Sequence, residues 1–305
     1  MPFPLNVLGG IFHFFFTVTV NIVVIIINVL NFLHIPGALG ISIILISVLI
    51  RFAVWPLMSS QIKLSKKTAQ LKPQVDALKL KHGKDKQAFA LAQSALFKEH
   101  GVNPAAGCLP TLIQIPIIYS LYQAVQLVVG FGGKGLNEVN QVLFNPAWQL
   151  KALPDAHFLG LNLAAKPSDF MTQGWVLLLV PVISAALTYV QSSMMVPAKI
   201  KTTEKKEDDM MSAMQTQMKY MMPLMIGYFS FTFPIGLALY WNIFTLLGIW
   251  QQYIHNGWGG LGGVMSKVGL GTAPESLELE PVKSSPKNAK SKSFKKGSTK
   301  VTIER

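Results

Sequence analysis

Apolar runs long enough to cross a bilayer alternate with polar segments along this 305-residue chain, and that alternation predicts its elements. Residues 11–33 are apolar enough to cross a bilayer, but His13, Thr17, Asn21, Asn28 and Asn31 recur at spacings of 4, 4, 7 and 3 and so line one face of a helix. Two readings fit: an interfacial helix, or an extra span whose stripe packs against other helices. Pro36-Gly37 breaks that helix, and a first core span runs near 38–58, closing on Trp55-Pro56. Further spans are predicted near 105–131, 174–196, 219–233 and 235–250, the last two separated by little more than Pro234. These two hold 15 and 16 residues, short of the ~20 a helix needs to cross the hydrocarbon, so they imply a locally thinned bilayer or helices that extend through their flanks.

Between the first two core spans, residues 59–100 carry nine lysines against Asp76, Asp85 and Glu99. Leu71, Val75 and Leu78, then Phe89, Ala92 and Leu96, repeat at helical spacing on either side of a His82-Gly83 turn, which predicts a helical hairpin outside the membrane. The Gly-, Asn- and Pro-rich loop 132–170 has three lysines and three acids, and the connector 197–218 has four of each. Residues 256–305 are Gly-rich, then Lys-, Ser- and Pro-rich, and read as a basic disordered tail. The chain thus divides into an N-terminal apolar or amphipathic helix (1–35), a transmembrane core (36–255) and a tail (256–305).

Charge turns this list into a topology. Lysines mark the hairpin and the tail as cytoplasmic and the neutral 132–170 loop as external, and five crossings from an outside N-terminus satisfy all three. No Lys or Arg precedes residue 51, so nothing holds the N-terminus in the cytoplasm and nothing resembles a secretory or organellar leader. The net charge of +13 does not require a nucleic acid, because its placement between spans already has a membrane explanation. The single cysteine, Cys108, has no intrachain disulfide partner and reads as a small buried hydrophobe.

One charge breaks the pattern: Arg51 lies within a span. Such an arginine costs roughly 2.5–3.5 kcal/mol on insertion scales and faces protein or a water-filled cavity. None of the five spans contains Asp or Glu to pair with it. Arg51 therefore either snorkels to the cytoplasmic interface, four residues before Trp55, or occupies a hydrated recess among polar side chains. Candidates for that recess are Gln114, Gln191, Trp241, Asn242 and Thr245, each of which has helix-packing hydrogen bonds as its alternative role. Met211, Met214, Met218, Met221 and Met225 form a stripe that suits plain packing or an adaptable apolar surface at the cytoplasmic mouth.

Signals for enzymatic chemistry are poor, and neither a cofactor nor a metal is expected. The six histidines show no metal-binding pairing with carboxylates. The one G-x-G-x-x-G, at Gly130, Gly132 and Gly135, follows a span rather than a strand.

Three separated segments, in order, carry a family resemblance: GISIILISVLIRFAVWPL with its arginine, KEHGVNPAAGCLPTLIQIPIIYSLYQA, and FPIGLALYWNIFTLLGIWQQ. Over roughly 36–253 the chain resembles the YidC family of membrane protein insertases, in its short form without a large external domain. The resemblance implies an all-α integral membrane protein of the bacterial cytoplasmic membrane, with five core helices around a hydrophilic groove open to the cytoplasm and to lipid. By position, Arg51 matches the groove arginine, Gln114 and Gln191 groove glutamines, and Trp241 the tryptophan of the last span. The implied partners are nascent membrane proteins and the bilayer, with a Sec-type translocon and the ribosome as further candidates. Two departures stand out: the connector is long and highly charged, and ESLELE at 275–280 dilutes the basic tail, which suits anionic lipid as well as a ribosome. The rival classes are a small-anion transporter or channel using Arg51 as its binding charge, and a scaffold in which Arg51 has no special part.

Overall fold

The computed structural model describes residues 7–82, 85–103, 109–129, 135–195 and 210–269. The first helix, α1 (Val7–Phe32), ends in a reversal through His34 and Gly37, both at positive φ, where glycine carries no steric penalty. Gly37 caps α2 (Ala38–Ala53). At Val54 the chain bends by 58° into α3 (Trp55–Gln70), which accepts Pro56 in its first turn, where the missing N–H needs no helical partner.

Beyond α3 come α4 (Lys72–His82) and α5 (Lys86–Glu99), the latter capped by Asp85, whose carboxylate accepts from the N–H groups of Gln87 and Ala88 at 2.9 and 3.0 Å. Leu71, Val75, Phe97 and Val102 bury a small apolar cluster of their own, separate from the main core. The helical arm thus starts at Trp55, earlier than the polar boundary at 59, because α3 carries on through the sequence transition from apolar to basic.

The rest of the bundle consists of α6 (Leu109–Val128), α7 (Leu136–Gln141), the two-residue strands β1 (His157–Phe158) and β2 (Leu161–Asn162), α8 (Phe170–Gln173), α9 (Leu179–Met195), α10 (Met210–Thr232), α11 (Ile235–Asn256) and α12 (Gly262–Lys267), with 3-10 turns at Pro146–Trp148, Pro167–Asp169, Trp175–Leu178 and Gly259–Leu261. The strands pair antiparallel, with His157 opposite Asn162. Two long helical stretches, Gly9–Phe32 and Trp175–Met195, have the length and composition to cross a membrane alone; the bent α2–α3 pair qualifies when taken together, and α6 adds a shorter apolar stretch, Leu112–Val128. Both α10 and α11 outrun their apolar stretches, starting at Met210 and ending at Asn256, because the backbone ladder continues through Lys219 and the Gln251-Gln252 pair. This is an all-α membrane protein.

Helix α1 packs on α6 and α2, α11 on α2 and α9, and α9 along α10. Val20, Val23, Val24 and Ile27 of α1 join Leu39, Ile43, Ile46, Leu121 and Tyr240 in one core. The polar stripe of α1 is partly consumed here: Asn21 donates to Val142 O at 3.1 Å and accepts from Phe144 N at 2.8 Å, while Asn28 donates to Trp148 O at 2.7 Å. Its alignment therefore reflects packing against the segment after α7.

That segment then reaches the starts of α2 and α11. The Phe158 ring lies on the bare Cα atoms of Gly37 and Gly40, a place a Cβ would fill. The carbonyls of Ala165 and Leu163 accept from Ile235 N and Gly236 N, both at 2.9 Å, and so satisfy two of the donors that the start of α11 leaves open. Cys108, Gly130, Gly132, residues 196–209 of the connector and the tail from 270 lie outside the described residues.

Candidate functional site

Helix α2 turns Ser42, Ser47 and Arg51 into the bundle, and all three are buried. The two serines return their hydroxyls to backbone carbonyls of their own helix, Ser42 to Leu39 O and Ser47 to Ile43 O. This local bonding removes their cost in an apolar setting. Arg51 instead finds its acceptor on another helix.

Its surroundings come from α11. Arg51 is 3% exposed; its Nη2 donates to Gln251 Oε1 at 2.7 Å, and the guanidinium carbon lies 4.7 Å from the centre of the Phe244 ring, within cation–π range. Its Nε is buried without a hydrogen-bond partner. Among the described residues no carboxylate forms an ion pair with it. The guanidinium is thus enclosed among protein groups, and its main acceptor is a neutral amide.

Gly248 makes this approach possible. A Cβ there would collide with the Gln191 amide and stand 2.9 Å from Arg51 Nη2, so the missing side chain lets α9 and α2 bring both groups against α11. Arg51 and Gln191 therefore share one site. The other predicted residues lie elsewhere along α11: Gln114 donates to the Tyr240 hydroxyl at 2.9 Å, and Trp241 Nε1 donates to Thr188 Oγ1 at 3.2 Å. Thr188 in turn donates to Ser184 O, and the Ser184 and Ser230 hydroxyls are 3.0 Å apart. Thr245 is buried, and Asn242 Oδ1 and Gln114 Oε1 are buried acceptors with no hydrogen-bond partner. Together these groups form a polar seam threading α2, α6, α9, α10 and α11. Apart from Arg51, these side chains present amide, hydroxyl or indole N–H groups, so the rest of the seam is neutral and Arg51 is its charge.

Gln251 was not predicted, though it is the residue that holds Arg51. The apolar run ends at Trp250, which places Gln251 outside the span by hydropathy. Its separation from Phe244, seven residues and hence two helical turns, is the signal that puts it on the Arg51 face. Its amide also reaches the helical arm: Nε2 donates to Trp55 O at 3.0 Å and to Ser59 Oγ at 2.9 Å. Nearby, Ser59 Oγ and His255 Nε2 are 3.0 Å apart, and the Trp55 ring packs edge-on to Trp250 with centroids 5.4 Å apart.

On the outer surface of α9 and α10 the side chains are apolar and exposed, among them Val182, Ile183, Met218, Met221, Leu224 and Met225. The side chains of Met211 and Met214, the start of the methionine stripe, lie outside the described residues. No group of three or more His, Cys, Asp or Glu is placed to hold a metal among the described residues.

Comparison with known proteins gives this arrangement a family. The 60Kd inner membrane protein family matches residues 30–259. The chain is 31% identical over 255 residues to the chloroplastic inner membrane ALBINO3-like protein 1 of Chlamydomonas reinhardtii, covering 81% of this chain and 50% of that one. Against the membrane protein insertase YidC of Rickettsia rickettsii it is 30% identical over 224 residues, 72% of this chain and 36% of that one. The membrane protein insertase MisCA of Bacillus subtilis is 30% identical over 222 residues, 72% of this chain and 70% of that one. The chain spans half or less of the length of the first two relatives. An active YidC insertase crystal structure aligns with a TM-score of 0.48 and 24% identity, covering 77% of this chain and 45% of that one. With three quarters of its length matched and Arg51 and α11 both inside the matched region, the chain belongs to the 60Kd inner membrane protein family, the YidC family of insertases.

Proposed function

We propose that this chain is a membrane protein insertase and chaperone that moves nascent hydrophobic segments into the bilayer along its polar seam. The observation that carries this reading is the buried Arg51 held by a neutral amide, with no carboxylate paired to it among the described residues. A buried cation with a weak internal acceptor attracts a carboxylate, because charge-assisted hydrogen bonds are about twice as strong as neutral ones. The acidic or polar flank of a client supplies that carboxylate.

On this reading the seam widens into a groove open to the cytoplasm, lined by Arg51, Gln114, Gln191, Trp241, Asn242 and Thr245. The client's polar flank occupies the groove while its apolar segment slides against α9 and α10 into lipid. Burial of that segment, at roughly 25 cal/mol per Å², drives the transfer, and the groove lowers only its barrier. The exposed methionines of α10 suit clients of many shapes, since the unbranched thioether side chain repacks readily. The basic arm and tail face the cytoplasm, and the loop after α7 faces outside. Nascent membrane proteins and lipid are the partners, with a Sec-type translocon joining for some clients and the ribosome contacting the arm and tail.

The test is to replace an essential insertase in a bacterial depletion strain with this chain. Growth with the wild type and loss of growth with Arg51→Ala supports the reading, and photo-crosslinks from positions 114, 191 and 241 to a nascent single-span protein place the client. Absence of adducts at all three positions overturns it. Flux of a small anion through proteoliposomes, dependent on Arg51, supports transport instead.

A further inference from the structure

The carboxamide of Gln251 is shared between two parts of the molecule that function brings together. Its orientation follows from its neighbours. A guanidinium only donates, so the atom facing Arg51 Nη2 is the oxygen; a backbone carbonyl only accepts, so the atom facing Trp55 O is the nitrogen. One planar group thus holds the buried charge with its Oε1 and the first turn of α3 with its Nε2, through Trp55 O and Ser59 Oγ. Gln251 is fully buried, and no second side chain of α11 bonds both places.

We propose that Gln251 is a latch that reports occupancy of Arg51 to the helical arm. This rests on the insertase reading and adds a positioning residue to it. A client carboxylate competes with a neutral carbonyl for the same guanidinium and displaces it. Once Oε1 is released, the amide turns about its terminal torsion, and the geometry that aims Nε2 at Trp55 O and Ser59 Oγ is lost. The bend at Val54 then loses its buried amide tie to α11 and keeps only the Ser59–His255 contact and the Trp55–Trp250 packing, so the arm built from α3, α4 and α5 swings more freely. Its small separate apolar cluster lets it move as a unit. A charge captured within the bundle is thereby converted into movement of the arm.

A glutamine suits this task better than either neighbour in chemistry. Glutamate would neutralise Arg51 permanently and present no N–H to Trp55 O. Leucine would leave the guanidinium without its acceptor. Only a carboxamide bonds both sides while leaving the positive charge available.

The full chain, with Cys108→Ser and spin labels at the exposed positions Leu80 on α4 and Leu159 between β1 and β2, is reconstituted in lipid nanodiscs for distance measurement by pulsed electron resonance. The client probe is a synthetic peptide with aspartates preceding about 20 apolar residues, compared with its asparagine counterpart. Wild type should give a narrow distribution that the aspartate peptide widens about twofold and the asparagine peptide does not. Gln251→Ala and Arg51→Ala should be wide without peptide, and Ser59→Ala less so, because the Trp55 carbonyl contact remains.

Should Gln251→Ala fail to fold, Gln251→Glu keeps Arg51 engaged but lacks the N–H; it should be wide and insensitive to the aspartate peptide. A Gln251→Ala distribution as narrow as wild type overturns the latch. So does an aspartate peptide that crosslinks to position 191 while the distance stays unchanged, and this outcome leaves the insertase reading standing. If the variants widen as expected but the wild-type chain does not rescue the depletion strain, the insertase reading falls and the tie between Gln251 and α3 stands.

Discussion

Arg51 combines a full charge, near-complete burial and a neutral acceptor, so its substitutions separate charge from shape. Arg51→Lys keeps the charge and loses the planar fork that bonds Gln251 while stacking on Phe244, so partial rescue of growth is expected, with acidic clients inserted better than by Arg51→Ala. Gly248→Ala tests the approach of helices instead. Its methyl would meet both the Gln191 amide and Arg51 Nη2, so overpacking should destabilise the bundle by about 1–3 kcal/mol. Client crosslinking from position 191 should fall with it, while a substitution to alanine at exposed Gly263, with nothing near its added Cβ, leaves both unchanged. The sequence singled out Arg51 but left two placements open, snorkelling to the interface or a position among polar side chains, and its burial against α11 decides for the bundle interior. Gln251 was not singled out, since a glutamine just past the end of a run looks like any interfacial residue until the helix is known to continue beneath it.

At the level of elements, α1 and the segment after α7 are joined by amide side chains. Replacing Asn21 with alanine leaves Val142 O and Phe144 N without their partner, so a loss of about 1–3 kcal/mol is expected, read as a lower unfolding temperature in detergent and faster proteolysis between 142 and 150. Asn28→Ala removes a single bond to Trp148 O and should cost less. Gly40→Ala drives a methyl into the Phe158 ring, and the β1–β2 turn should lift away, uncovering Phe158 and speeding proteolysis in this turn. The helices themselves follow from apolar periodicity and from breakers such as Pro36-Gly37. The path of residues 135–178 does not, because short turns rich in Gly, Asn and Pro carry no period and take their positions from distant partners on α1, α2 and α11.

For the whole molecule, one apolar core holds α1, α2, α6, α9 and α11 together, while a second small cluster stabilises the arm. That division matches the sequence boundary between uncharged runs and the lysine-rich segment, which is why the architecture was largely readable from charge and hydropathy alone. The bend at Val54 was less so: Trp55-Pro56 marked the end of a run, but proline in a first helical turn permits continuation, and the chain continues as α3. The start of α11 has a different consequence, for the seating of that helix. Its Ile235 and Gly236 N–H groups find their acceptors at Ala165 O and Leu163 O, about 70 residues earlier in the chain. In a hydrocarbon setting an unsatisfied backbone donor costs several kcal/mol, so the first turn of the last long helix is fully satisfied only when Leu163 and Ala165 are in place. The seat of the final helix is therefore built by residues remote in sequence, and a chain in which 163–165 are misplaced has no finished seat for it.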